Sequence, residues 1–157
     1  MDAKIGITAK NRLAVATQLS KLLADEFFLY TKTRNAHWNV EGNDFHAMHL
    51  FFESQYEQLD EIMDSVAERI RTIGHYAPAT LKSFLKLTHL SELIESRNDS
   101  IDFIKELLSD HESIIEFIRG NIHPFEDTYK DAGTSDYVTG LMETHEKMAW
   151  MLRAHLP

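Results

Sequence analysis

The sequence contains no cysteine. That excludes disulfides, thiolate metal sites and cysteine nucleophiles, although it says little about compartment. Three prolines and six glycines in 157 residues leave the chain few places to break. No run is long and apolar enough to span a bilayer. The opening "MDAKIGITAKNRLAVATQL" also lacks the apolar core of a signal peptide, so the expectation is a cytoplasmic protein with no membrane partner. Positive charge is scarce: 16 Lys and Arg face 25 Asp and Glu, a formal net charge of −9. Such a surface repels nucleic acid and attracts cations. No segment sustains the alternation of a half-buried strand.

What is present is helical periodicity. The first segment runs from about Thr8 to His37, with Leu19, Leu22, Leu23, Phe27 and Tyr30 on one face, and stops at Gly42 and Asn43. The second runs from about Asp44 to Arg71, with Gly74 as its C-terminal signal. The connection "GHYAPATLKSFLKLTHLS" is broken by Pro78, and "TLKSFL" reads as a short helical turn within it. The third helix begins between Ser91 and Asp99. It carries Ile101, Ile104, Leu108, His111, Ile115 and Ile118 in register, and weakens at Gly120 and Pro124. The fourth spans about Ser135 to His155, with Val138, Leu141, Met142, His145, Met148 and Leu152 as its stripe. Four such helices predict an all-α four-helix bundle, one domain over 1–157 with a short tail at 1–8. The long link lets helices two and three run parallel by crossing the bundle.

The second helix also carries chemistry: His46, His49, Glu53, Glu57, Asp60, Glu61, Asp64 and Glu68. Histidines and carboxylates are transition-metal ligands. His49 and Glu53 are one turn apart, as are Asp64 and Glu68, so each pair shares a helix face. His49 and Asp64, however, lie roughly 22 Å apart at ~1.5 Å rise per residue. One metal cannot reach both pairs from one helix. The alternative inside a bundle is a Glu-x-x-His motif on each of two helices, but no acidic residue stands three before any histidine. A second copy offers another solution. Two such helices placed antiparallel about a two-fold axis bring the His49/Glu53 end of one to the Asp64/Glu68 end of the other, making two identical sites. His37, near the end of the first helix, joins His49 on the same side. The competing reading is an ordinary solvated carboxylate face with Lys and Arg partners. On that reading His111 and His145 are core or interface histidines and Trp38 and Trp150 are packing anchors; His46, one turn before His49, is as readily a surface residue or a neighbour of the site as a ligand.

"NAHWNVEG", followed by His49, "FE" and "DSVAERI", closely resembles the Dps family, the mini-ferritins or DNA-protecting proteins of starved cells. "HEKMAWMLRAH" is similar to the family's last helix, and the resemblance covers nearly the whole chain. It implies a hollow dodecamer of ferritin-like four-helix subunits, with a short extra helix in the long connection. It implies two-metal ferroxidase centres between two-fold-related subunits. Carried over by position, His37, His49 and Glu53 are catalytic metal ligands from one subunit, and Asp64 and Glu68 from its partner. Trp38 matches the tryptophan beside the centre, with His46 as a neighbour. The resemblance implies iron as the metal, with zinc or another divalent metal able to take its place. It further implies oxidation of ferrous iron with hydrogen peroxide in preference to dioxygen, storage of the ferric mineral, and protection against oxidative stress. Asp127, Asp131 and Asp136 match acidic positions of the family's three-fold pores; the rival explanation is helix capping around Ser135 and Asp136. A second reading, from a different class, is a DNA-compacting, nucleoid-associated protein. Here the tail offers only Lys4 and Lys10, with Arg12 just inside the helix and Asp2 opposing them, so weak DNA binding is expected.

Overall fold

A computed structural model describes residues 3–92 and 98–157; Asp2 of the tail lies outside them. Among the described residues five α-helices follow one another: α1 (Ala9–Asn39), α2 (Phe45–Thr72), α3 (Leu81–Leu87), α4 (Ser100–His123) and α5 (Ala132–Arg153), with a π-helical turn, Pro124–Thr128, after α4. No strand occurs among the described residues.

The boundaries follow from capping chemistry. Thr8 accepts a hydrogen bond from the Asn11 N–H at 3.2 Å, Thr80 from Ser83 at 3.1 Å, and Asp99 from Asp102 at 2.9 Å. At the end of α2, Gly74 adopts φ +93. Its N–H bonds to the Arg71 carbonyl and the next, His75, to Ile70. That paired pattern satisfies the last carbonyls and needs a left-handed residue.

Three expectations at helix ends are corrected. The third long helix starts at Ser100, just after the expected window. It does not weaken at Gly120 but runs on to His123, and Pro124, which has no N–H to return to the preceding turn, opens the π-helical turn. The last helix starts at Ala132, not Ser135, and its cap is Asp131.

α1 packs along α2, α4 along α5, and α3 on α1. Leu19, Leu22, Leu29, Phe52, Leu59, Val66, Phe103, Ile104, Ile114, Ile118, Val138 and Leu152 fill the core between them. α2 and α4 run parallel. Their N-termini meet where the Ser100 hydroxyl donates to Asp44 at 2.5 Å, and Glu41 N–H bonds to the Asn98 carbonyl at 2.8 Å. At the other end Arg69 of α2 reaches Asp131 and Thr134, which follow α4. Buried Asp25 ties down the crossover by accepting from the Thr88 hydroxyl and the His89 N–H, both at 2.7 Å.

Candidate metal centre

The short α1–α2 loop brings the last turn of α1 against the first turns of α2. His37 and His49 stack there, ring centroids 3.8 Å apart and planes within 20°. Each Nδ1 bonds to the other residue's backbone carbonyl at 2.8 Å. A carbonyl oxygen only accepts, so both Nδ1 atoms carry the hydrogen. In the neutral ring each Nε2 then keeps its lone pair, the form in which imidazole ligates a metal. The His37 carbonyl is available because it belongs to the last turn of α1, where no intrahelical donor follows; the Glu41 N–H is turned to Asn98.

Glu53 lies one turn beyond His49 on the same face of α2 and is half-buried. The Tyr56 hydroxyl donates to its Oε1 at 3.2 Å. Burial, followed by the bond to Glu53, pushes the Tyr56 phenol up from its ordinary value, which keeps it a neutral donor. The ring of Tyr56 meets His37 edge-on at 5.1 Å. The Arg34 guanidinium lies 4.3 Å above Tyr56, 5.0 Å from Trp38 and 5.7 Å from Tyr30.

Asp64 and Glu68 are exposed on the far half of α2, and the helix is unbroken between the two pairs. Among the described residues, no three His, Asp or Glu side chains of one protomer converge to hold a metal. Among the described residues no ion pair within the protomer engages Glu57, Asp60, Glu61, Asp64 or Glu68.

His46 is exposed. Trp38 and Trp150 are 63% and 62% exposed, so neither anchors the protomer core. Asp127 is exposed, 3.9 Å from His123, and Asp136 is exposed on α5. Asp131 is different: 2% exposed, it accepts from the Thr134 N–H and hydroxyl at 2.9 and 2.6 Å and from Arg69 at 3.1 Å. Its carboxylate is committed to the α5 cap. Capping thus explains Asp131 and not Asp136, the reverse of the sequence expectation.

One buried cluster was not legible in the sequence. His145 Nε2 donates to Glu26 Oε1 at 2.9 Å, and its Nδ1 faces His111 Nδ1 at 2.9 Å. All three side chains are fully buried. Burial, then the neighbouring His145, holds His111 well below the usual histidine range. The two histidines fall on the predicted apolar stripes, but their acid comes from α1, a pairing no local spacing reveals.

The ferritin-like domain family matches residues 16–157. A low temperature-induced protein of Nostoc sp. is 39% identical over 152 residues, covering 97% of this chain and 85% of that protein. A DNA protection during starvation protein of Helicobacter pylori is 34% identical over 138 residues, covering 88% of this chain and 95% of its own length. Among solved structures, DpsC of Streptomyces coelicolor superposes with a TM-score of 0.94 at 26% identity, covering 100% of this chain and 91% of that one. The Vibrio cholerae O1 Dps protein, described as a ferritin-like diiron-carboxylate protein, superposes with a TM-score of 0.92 at 28% identity, covering 100% and 99%.

Proposed function

Since the chain belongs to the Dps family of ferritin-like proteins, we propose that it is a ferroxidase and iron-storing mini-ferritin whose metal centres form between two copies. One observation carries this reading. Two imidazoles whose Nδ1 atoms are held by backbone carbonyls, together with Glu53, stand at one end of a continuous α2, and two exposed carboxylates with no ion pair among the described residues, Asp64 and Glu68, stand at the other. Each end is half of a ligand set, and an antiparallel two-fold pairing of α2 completes both at once.

The substrates are ferrous iron and hydrogen peroxide. Ferrous iron accepts imidazole and carboxylate ligands, and the ferric product prefers the oxygens, so a site with three carboxylates favours the oxidised ion. Five protein ligands for two ions leave positions open for the oxidant. Two ferrous ions supply the two electrons that reduce one peroxide to water, which prevents release of a one-electron radical product. The closed form we propose is the dodecamer, acting in the cytoplasm, with the ferric mineral inside. Iron entry is assigned to the acidic surface around the start of α5, through Asp127 of the π-helical turn and Asp136 of α5, with Asp131 holding the connection in shape. DNA compaction is the lesser reading, because Lys4 and Lys10 stand against a net charge of −9.

The test is peroxide-driven ferrous oxidation by the assembled protein. His49→Ala and Glu68→Ala should each slow it by at least about ten-fold while the native mass stays unchanged. Wild-type rates in the double variant would remove the assignment.

A further inference from the structure

We propose that Tyr56 is a positioning residue for the Glu53 carboxylate and that Arg34 locks Tyr56 in place. The inference rests on the reading of Glu53 as an iron ligand and assigns the groups that orient it.

A glutamate on an exposed helix turn has three rotatable bonds, and fixing them costs conformational entropy when a metal binds. Glu53 is not free in that way. Its Oε1 accepts the Tyr56 hydroxyl at 3.2 Å, the only hydrogen bond its side chain makes among the described residues. Tyr56 lies three residues further along α2, the spacing at which side chains on a helix meet. The hydroxyl occupies one carboxylate oxygen and leaves Oε2 for the metal.

Tyr56 is itself held on several sides. Its ring meets the His37 imidazole edge-on at 5.1 Å and the Tyr30 ring at 6.1 Å. The Arg34 guanidinium covers its face at 4.3 Å. Arg34 makes no ion pair or hydrogen bond among the described residues, although Glu57, Asp60 and Glu61 line the same 330 Å³ groove. What it touches instead is three aromatic faces, those of Tyr30, Trp38 and Tyr56, an arrangement that attracts a cation. A single contact chain therefore runs from Arg34 on α1 through Tyr56 to Glu53, and the same ring touches His37. Hydrogen-bonded partners of this kind set the orientation of metal ligands, and their loss typically lowers metal affinity 10- to 100-fold.

The experiment titrates the assembled protein with Co(II) alone, followed by calorimetry and by visible absorption. Tyr56→Phe keeps the ring and its contacts and removes the hydroxyl. It should weaken Co(II) binding by about ten-fold with native mass and helix content unchanged. Arg34→Gln should weaken binding in the same direction and by less. In a Glu53→Ala background, Tyr56→Phe should cause no further loss, since the carboxylate it orients is gone. Wild-type Co(II) affinity in Tyr56→Phe overturns the inference, as does an equal loss in both backgrounds, which marks a general packing role. Should Tyr56→Phe disturb assembly, Arg34→Gln in the two backgrounds carries the same test. If Glu53→Ala alone leaves Co(II) binding intact, Glu53 is no ligand; the ferroxidase assignment of that residue then fails, and this inference with it.

Discussion

Charging a histidine in a dry core is costly, and His111 has its closest polar neighbour in another histidine. Its proton affinity in the folded chain lies well below the ordinary value of 6.5. As pH falls through 6.5, the unfolded chain takes up a proton at this position and the folded chain does not. The stability contributed by neutral His111 is therefore complete above 6.5 and drains away below it, by up to about 1.4 kcal/mol per pH unit. Denaturant midpoints at pH 7.5 and 5.5 should show this decline in the wild type and a shallower one in His111→Phe. Coincident slopes would mean that other groups carry the acid sensitivity. Asp131 makes a second residue-scale case. Asp131→Ala removes the α5 cap and strands Arg69, at a cost of about 2–4 kcal/mol. Asp136→Ala, at an exposed helical position, should stay within about 0.5 kcal/mol. Thermal melts of the two variants that superimpose would show that Asp131 is not the cap.

At the scale of elements, helix ends and helix interiors make opposite demands on glycine. Gly74 closes α2 at φ +93, a conformation an L side chain resists. Gly74→Ala should cost about 1 kcal/mol. Gly120 sits inside α4, where an added Cβ would meet nothing within 4 Å. There alanine restricts the unfolded chain at no cost to the folded one and should stabilise by about 0.5–1 kcal/mol. Chemical denaturation of the pair checks both signs; a stabilising Gly74→Ala would contradict the left-handed closure of α2. A glycine of a third kind is Gly133, whose added Cβ would come within 3.0 Å of the Arg69 guanidinium. That contact marks how closely α2 is tied to the start of α5.

At the scale of the whole molecule, the prediction is that sites are shared. Copies carrying His49→Ala lack one half-site and copies carrying Glu68→Ala lack the other, so each pure preparation has no intact centre. If the two are unfolded, mixed in equal amounts and reassembled, statistical pairing about the two-fold axis restores roughly a quarter of the centres. Ferrous oxidation should return to about that fraction of the wild-type rate. A mixture as inactive as its components would mean that one chain holds the entire site. Native mass belongs with this experiment, since a species of 18.2 kDa under the assay conditions would leave no partner to share with. At this scale the net charge of −9 per chain also acts as one field. Mobility shifts with duplex DNA at neutral pH and moderate salt should be weak, and tight binding that survives removal of residues 1–10 would reverse the expectation.

The sequence alone determined what depends on period and spacing. Apolar stripes at helical intervals fixed the four long helices, and the four-residue spacings of His49 with Glu53 and Asp64 with Glu68 put each pair on one face. The distance between those pairs already ruled out a single-helix site, because the rise of an α-helix is constant. Helix ends were legible only to within a few residues. A cap is settled by a side chain folding back on particular N–H groups, and Asp131, Ser135 and Asp136 look alike as strings. What the tertiary structure decided is everything that needs two helices at once. The stacking of His37 on His49 fixes both tautomers through carbonyls that belong to the other residue. Arg34 meets Tyr56 only because α1 lies along α2, and Glu26 of α1 meets His145 of α5 only because both side chains reach into the bundle interior. Trp38 and Trp150 read as packing anchors by type, yet in the protomer the fold turns both outward. Residue type states a preference for burial, but the direction in which a helix faces its neighbours decides which side chains obtain it.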